Sequence, residues 1–225
     1  PIPPQLPNDL TCNIHLARNF DSGISEKDVF LPRIAEARSE AYGVTERYNI
    51  SMGKDRIIAF YPSKELPHRP RWDPKNFIEI VHRFKKDGFT GKFIVVGSLQ
   101  EGEEWKKIDK DNSVDANLAG KLSILASAEL LSRCCITVGN DGGLMHAAGA
   151  VECPLVVIMT NTPPTYRPPG EKTVVIQSKL TCCADSYPKR PDWCRVAGCA
   201  ADISADGVYD VCRNVIANSA EVIYK

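Results

Sequence analysis

From residue 56 onward, short apolar runs alternate with longer stretches in which apolar residues recur every three or four positions. Such short runs, bounded by glycine, proline or charged residues, predict buried strands, and the longer periodic stretches predict helices packed on them. The strand candidates are Arg56–Phe60, Phe93–Val96, the shorter Asn117–Leu118, Cys134–Val138, Leu155–Met159 and Thr173–Ile176. Strands that alternate with helices in this way predict an α/β fold with a doubly wound, Rossmann-like parallel sheet.

The ends of the predicted helices have signals of their own. Asp73 followed by Pro74 predicts an N-cap with proline in the first helical position, and Gly88 predicts a left-handed residue that ends the same helix. A further helix is predicted over Ser123–Arg133, and the last one begins near Ser204.

Residues 1–54 are proline-rich and then charged, and their periodicity is weak. We predict one helix near Arg33–Tyr42 and expect the segment as a whole to be a linker and the end of a preceding domain. The chain opens on Pro1-Ile2-Pro3-Pro4, without a methionine or a signal-peptide pattern, which is typical of a piece of a longer protein. Residues 55–225, including the C-terminal helix, are predicted to form the Rossmann-like domain.

Composition and charge exclude several classes of protein. With 43% hydrophobic and 25% charged residues the chain is globular rather than disordered. The balance of 28 Lys+Arg against 28 Asp+Glu argues against a nucleic-acid-binding protein, which would show a basic excess. No run of 18 apolar residues predicts a membrane span.

The cysteines indicate a reducing compartment, because their number, nine, is odd and the chain is large for a disulfide scaffold. We therefore expect a cytoplasmic protein. Cys134, Cys135 and Cys153 lie in or beside predicted core strands, where thiols act as small hydrophobic groups. Four others follow the last strand without the CxxC spacing of a zinc ribbon, so free thiols, a metal site and a stapled loop stay open for them: Cys182, Cys183, Cys194 and Cys199.

The most informative segment is Gly139–Ala150, which reads as a strand end, a glycine turn and a short helix. A turn of this kind lies at the carboxyl end of a strand, where open parallel sheets bind ligands. The amides of Gly142, Gly143 and Leu144 would open the helix and suit an anion such as a phosphate. Asp141 and His146 flank the turn. In the alternative interpretation, Asp141 merely caps the helix and His146 merely packs beneath it.

Two more turns are expected at the same edge of the sheet, because the carboxyl ends of parallel strands meet there. They are Pro62-Ser63-Lys64 and Gly97-Ser98, and together with the first turn they could line one nucleotide crevice. The loop before Trp72 adds Lys64, His68, Arg69 and Arg71, which could neutralise a diphosphate or could equally be a solvated surface loop. Gly120-Lys121-Leu122-Ser123 is not a P-loop, since position 115 is aspartate rather than glycine.

Four of these stretches, spread over residues 55–217, resemble glycosyltransferase family 9, the ADP-heptose:lipopolysaccharide heptosyltransferases. Ile58–Phe77 is similar to the family's strand, "HPG" loop and "KRWP" helix start, and Val95–Ser98 to its second strand and turn. Asn117–Ser123 resembles "NLAGKTSL", and Gly139–Ala148 resembles "GNDSGLMHLA". The chain departs from this pattern where Tyr61 replaces histidine, Ser63 replaces glycine, Pro70 replaces lysine and Gly142 replaces serine or threonine.

The resemblance implies a two-domain GT-B fold in which residues 55–225 are the nucleotide-sugar-binding domain. It implies an inverting transfer of a sugar, expected to be heptose, from a nucleoside-diphosphate donor to a lipopolysaccharide-core or other glycan acceptor. No cofactor is implied besides the donor, which is expected to be ADP-linked, and no metal. Contact with the inner membrane would be peripheral at most. The expected donor-binding residues are Ser63, Lys64, Arg69, Arg71, Gly97, Ser98, Gly120, Asp141, Gly142, Gly143, Leu144 and His146.

The resemblance places the acceptor site and the general base on the other domain, so no catalytic residue can be named and the chain alone is expected to be inactive. Two other classes of function stay open. One is another GT-B enzyme, such as a transferase of a different sugar or a nucleotide-sugar epimerase. The other is a nucleotide-binding module without activity of its own.

Overall fold

The computed structural model describes residues 34–63, 70–160, 162–180 and 198–222, and these form a layered α/β domain. Its strands are β1 (Ile57–Tyr61), β2 (Lys92–Val95), β3 (Ala116–Asn117), β4 (Ile136–Asn140), β5 (Leu155–Met159) and β6 (Thr173–Gln177). Its helices are α1 (Ala35–Glu46), α2 (Pro74–Lys86), α3 (Leu99–Ile108), α4 (Ile124–Leu131), α5 (Gly143–Ala150), α6 (Gly198–Ala201) and α7 (Ala205–Val222), with a 3₁₀ turn at Pro164–Tyr166.

All six strands pair in parallel in the order β3-β2-β1-β4-β5-β6, which confirms the predicted doubly wound sheet. From β1 the chain runs outward through β2 to β3 at one edge of the sheet. It then returns to form β4 on the other side of β1 and continues through β5 to β6 at the opposite edge. The strand order therefore reverses between β1 and β4, where Tyr61 is in register with Gly139. Doubly wound sheets bind their ligands at this switch point, beyond the carboxyl ends of the two strands.

The sheet is buried on both faces because successive strand residues point to opposite sides. On β1, Ile57 and Ala59 belong to one hydrophobic cluster and Ile58 and Phe60 to the other. The first cluster packs under α1, α4 and α5 and is built mainly of small and aliphatic side chains. The second packs under α2, α3 and α7 and is rich in aromatic rings. In it, Phe84 lies edge-on to Tyr209 with ring centroids 4.8 Å apart.

Helix α1 extends this domain toward the N-terminus. Ala37 and Ala41 are buried against α4, and Arg38 donates from Nε to the buried Glu129 carboxylate at 3.2 Å. Residues 35–54 thus share the core of the Rossmann-like domain, whereas we expected them to belong to a linker and a preceding domain. The predicted helix, Arg33–Tyr42, is observed at Ala35–Glu46. Residues 1–33 lie outside the described residues, so the wider domain assignment stays a prediction.

Local signals are confirmed at most helix ends. The Asp73 side chain accepts a hydrogen bond from the amide of Lys75 at 2.9 Å, with Pro74 in the first helical position. Gly88, which ends α2, has a φ of 81°.

Cys134 and Cys153 are buried free thiols, and burial raises the pKa of the Cys153 thiol to about 12, so both act as neutral core residues. Within the described ranges, no helix combines the length and the apolar character needed to cross a membrane.

Candidate functional site

The switch point between β1 and β4 holds a small cleft. It is bounded by the end of β1 and its following turn, by the loop that returns to Trp72, and by the turn between β4 and α5. The lining residues are Ser63, Pro70, Arg71, Asn140, Asp141, Ile158, Thr160 and Thr162. Two of the predicted turns, after β1 and after β4, therefore meet at one crevice.

The opening of α5 directly follows Asp141, the last residue of the β4 turn that lines this crevice. Gly142 occupies the N-cap position in an extended conformation, with φ 172° and ψ 171°, and no side chain caps the helix. A Cβ placed on Gly143 would meet no atom within 4 Å beyond its chain neighbours and the backbone of its own helix. The amides of Gly143 and Leu144 lie in the first turn of the helix. No preceding turn offers a carbonyl oxygen to accept hydrogen bonds from them. An open, uncapped helix start with a positive end of the helix dipole suits an anion.

Asp141 and His146 are arranged differently from the alternative interpretation. Asp141 is buried, with 7% exposure, yet Gly142 and not Asp141 is the N-cap of α5. His146 does not pack beneath the helix, since its side chain is 45% exposed. The His146 Nε2 atom lies 3.7 Å from Asp141 Oδ1, too far for a hydrogen bond and close enough for attraction when the imidazole is protonated. The carboxylate and the imidazole thus lie together beside the helix opening.

Asn140 fixes the geometry of the crevice, and sequence reasoning missed it. Its Nδ2 donates to the carbonyl oxygens of Pro62 at 2.6 Å and Trp72 at 3.3 Å, and its Oδ1 accepts from the Trp72 amide at 2.8 Å. One buried amide therefore ties both ends of the loop between β1 and α2 to the end of β4. Thr160, also missed, adds a fourth tie from its hydroxyl to the Pro70 carbonyl at 2.6 Å.

The basic loop is described only at its ends. Arg71 donates from Nη1 to the Ser63 carbonyl at 2.7 Å and to Glu104 Oε2 at 2.8 Å, so its guanidinium faces the cleft already paired. Ser63 has a φ of 55°, the left-handed region that glycine favours, at the position where the family pattern has glycine. Lys64, His68 and Arg69 lie outside the described residues, and their role in donor binding stays a prediction.

The third predicted turn has a clear local structure. Ser98 is the N-cap of α3, where its hydroxyl accepts from the Glu101 amide and its own amide donates to Glu101 Oε2 at 2.5 Å. Gly97 and Gly120 have φ values of 143° and 76°, and the Gly120 amide donates to the Gly97 carbonyl at 2.8 Å. These residues shape the same edge of the sheet, and their contact with a donor stays a prediction.

Of the four late cysteines, Cys199 is a buried free thiol, while Cys182, Cys183 and Cys194 lie outside the described residues. In the part of the chain that the structure describes, no three His, Cys, Asp or Glu side chains come together as a metal site.

The chain is similar to known proteins over more than half of its length. Residues 14–192 match the family model for glycosyltransferase family 9 (heptosyltransferase). Among curated proteins, lipooligosaccharide heptosyltransferase 2 of Haemophilus influenzae is 30% identical over 138 residues, which is 59% of this chain and 39% of that protein. The lipopolysaccharide heptosyltransferase 2 of Salmonella typhimurium is 25% identical over 166 residues, or 69% of this chain and 47% of that protein. The chain thus spans less than half the length of these relatives.

Solved structures support the fold. The Escherichia coli ADP-heptose lipopolysaccharide heptosyltransferase II superposes with a TM-score of 0.65 at 21% identity, covering 85% of this chain and 54% of that one. A family 9 glycosyltransferase from Veillonella parvula superposes with a TM-score of 0.74 at 16% identity, covering 97% of this chain and 62% of that one. At these identities the superpositions establish a GT-B type α/β domain and nothing finer.

Proposed function

Because the chain belongs to glycosyltransferase family 9, the heptosyltransferase family, we propose that it is the donor-binding half of a heptosyltransferase. The whole enzyme would transfer a heptose from an ADP-linked donor to a lipopolysaccharide-core acceptor. It would act in the cytoplasm, with at most peripheral contact with the inner membrane. The proposed donor agrees with that of the Escherichia coli relative, which is an ADP-heptose enzyme by name.

The observation that supports the donor site best is the opening of α5. An uncapped helix begins at the switch point of the sheet, with open space in front of Gly143. At this helix start, the diphosphate could approach the backbone amides without interference from a side chain. In the transfer step, these amides would stabilise the negative charge that develops on the departing nucleoside diphosphate.

Side chains around the crevice would complete the donor site. Asp141 would bind hydroxyl groups of the donor, because a buried carboxylate next to a diphosphate would be repelled. Arg71, together with Lys64 and Arg69, would neutralise the diphosphate. The acceptor hydroxyl would lose its proton to a base on the other domain and displace the diphosphate directly, which inverts the sugar carbon.

Calorimetric titration of the purified chain with ADP, UDP and GDP tests the donor site. We expect ADP to bind most tightly, and Asp141→Asn to weaken binding of the intact nucleotide sugar while the melting temperature stays nearly unchanged. We also expect ADP affinity to fall between low and high salt, because side-chain charges are screened. A folded chain that binds no nucleoside diphosphate would contradict the proposal.

The two alternative functions, another GT-B enzyme and an inactive nucleotide-binding module, can be distinguished by the reaction that the full-length protein catalyses. The full-length protein should release ADP from ADP-heptose only when a lipopolysaccharide-core acceptor is present. Release of UDP from another donor would favour a different transferase, and nucleotide binding without any turnover would favour a binding module. The 225-residue chain alone should bind ADP and transfer nothing.

A further inference from the structure

Two polar side chains that line the cleft at the switch point have structural tasks. Asn140 uses both ends of its amide on backbone groups of the loop between β1 and α2. The Thr160 hydroxyl donates to the Pro70 carbonyl at 2.6 Å. These contacts fix the walls of the cleft and engage the polar atoms that make them.

Thr162, two residues beyond Thr160, differs from them. It lines the same cleft and is 1% exposed, yet its hydroxyl has no hydrogen-bond partner within the described residues. A buried hydroxyl without a partner costs about 1–3 kcal/mol relative to one that is paired. A hydroxyl in the wall of a ligand cleft gains its partner when a polar ligand enters.

The backbone of Thr162 is held by the end of β6. Gln177, the last residue of that strand, donates from Nε2 to the Thr162 carbonyl at 2.9 Å. This contact fixes the orientation of the amide, because only its nitrogen can donate to a carbonyl. Gln177 Oε1 is buried and has no partner in the part of the chain that the structure describes. The β-branched side chain of Thr162 is stiff as well, so its hydroxyl is held in few positions.

We propose that the Thr162 hydroxyl binds a sugar hydroxyl of the nucleotide sugar, and that Gln177 is a positioning residue that holds Thr162. A neutral group is favoured over phosphate, because the buried Asp141 carboxylate lines the same cleft and would repel a phosphate oxygen. A sugar hydroxyl both donates and accepts, so it can pair with a threonine and a carboxylate at once. This inference rests on the proposed function, since it adds a group to the same donor site.

The sugar hydroxyl can belong to the ribose or to the transferred sugar, and the first test separates these sources. Thr162→Val and the unchanged chain are titrated calorimetrically with inorganic diphosphate, ADP and ADP-heptose. We expect about a tenfold loss of ADP-heptose affinity and no change for inorganic diphosphate. An equal loss for ADP assigns the contact to the ribose, and unchanged ADP affinity assigns it to the transferred sugar. Unchanged ADP-heptose affinity, or a loss for inorganic diphosphate, would overturn the proposal.

The melting temperature of the chain without ligand provides a matched control. Thr160→Val should lower it, because the hydroxyl bond to Pro70 is lost. Thr162→Val should leave it unchanged or raise it, because no partner within the protein is lost. Thr162→Ser keeps a hydroxyl and should retain most of the ADP-heptose affinity. A clear drop in the melting temperature of Thr162→Val would show that its hydroxyl serves the fold, which contradicts the proposal.

A second variant tests the role of Gln177. Gln177→Met keeps the length of the side chain and removes the amide that holds the Thr162 carbonyl. ADP-heptose affinity should fall, while the affinity for inorganic diphosphate stays the same. The double variant with Thr162→Val should lose little more than Thr162→Val alone, because Gln177 acts through Thr162. Fully additive losses would show that Gln177 does not act through Thr162.

The outcomes distinguish this inference from the proposed function. If the unchanged chain binds neither ADP nor ADP-heptose, the proposed donor site fails and the role of Thr162 fails with it. If the unchanged chain binds ADP-heptose and Thr162→Val binds it equally well, the donor site stands and the role of Thr162 is wrong.

Discussion

The turn after β4 and the turns after β2 and β3 look alike in sequence, yet they differ in structure. After β2, Gly97 is left-handed and Ser98 caps α3 with its hydroxyl, so the polar groups of the turn are used within the protein. After β4, α5 begins on Gly142 without a side-chain cap, and the space in front of Gly143 is open. The helix after β2 is capped by the side chain of Ser98, whereas the helix after β4 begins without a side-chain cap.

The comparison shows that a glycine next to a strand can have either of two physical roles. At Gly120 the backbone needs a positive φ, and a Cβ would lie 2.6 Å from Cα of Leu99. At Gly143 no neighbouring group of the protein would clash with a side chain, so packing does not require glycine there. The first role concerns stability, and the second, under the proposed function, would concern access for a ligand, so we expect substitutions to separate them.

The largest effect is expected for Gly120→Ala. Alanine is strained at a φ of 76°, and its Cβ would meet backbone atoms of Leu99 that cannot rotate away. We expect the free energy of unfolding in urea to fall by about 2–4 kcal/mol. Gly43→Ala is the control, because Gly43 lies inside α1 with no atom near its Cβ, and that variant should be neutral or slightly more stable. A loss below about 0.5 kcal/mol for Gly120→Ala would contradict this role.

The next largest effect is expected for Gly143→Val, which should lower ADP affinity and leave stability nearly unchanged. Gly143→Val places a branched side chain in the open space before α5, so ADP affinity should fall at least about tenfold, or 1.4 kcal/mol. Because that Cβ would meet nothing within 4 Å beyond its chain neighbours and the backbone of its own helix, the melting temperature should hardly change. Gly143→Ala should give a smaller loss of affinity in the same direction. A correctly folded Gly143→Val variant with unchanged affinity would show that the diphosphate does not bind at α5.

Most of the fold could be predicted because its signals are local. The β5 strand is apolar throughout, and Asp73-Pro74 and Gly88 mark the ends of α2, so boundaries agree to within one or two residues. Helix α1 was harder to assign to the core because it buries alanines such as Ala37 and Ala41. Small side chains give little contrast between the two faces of a helix, so its packing against α4 has no clear periodic signal.

The candidate site was only partly predictable, because its geometry depends on contacts between distant residues. The turn at Asp141–Gly143 has a recognisable motif, whereas Asn140 acts through partners 68 and 78 residues earlier in the chain. A polar residue at the end of a strand resembles any other turn residue until those partners are known. The Tyr61 ring lies so close to Gly142 that a Cβ there would be 2.9 Å from it, and this proximity cannot be inferred from the sequence for the same reason.

A smaller effect is expected at the closed turn after β2. Ser98→Ala removes the hydroxyl that caps α3, and loss of such a cap lowers the free energy of unfolding by about 1 kcal/mol. Ser98→Thr keeps a capping hydroxyl and should restore most of this loss. Neither variant should change ADP affinity if the Ser98 hydroxyl is committed to the helix. Weaker ADP binding by Ser98→Ala at unchanged stability would instead make Ser98 a donor-binding residue.

The smallest effect is expected for Ser63→Gly, on the β1 side of the crevice. The φ of Ser63 is 55°, and glycine adopts this conformation without strain. The strain removed, about 1–2 kcal/mol, exceeds the extra backbone entropy of glycine in the unfolded chain, about 0.5–1 kcal/mol, so the free energy of unfolding should rise by about 0.5 kcal/mol. Glu152→Gly is the matched control, since Glu152 has a φ of 59° just beyond the far end of α5 and should gain a similar amount. If Glu152→Gly gains stability while Ser63→Gly loses it, the Ser63 side chain holds the crevice together more strongly than its backbone strains it. That result would mean that the Ser63 side chain stabilises its own turn, as the Ser98 side chain does after β2.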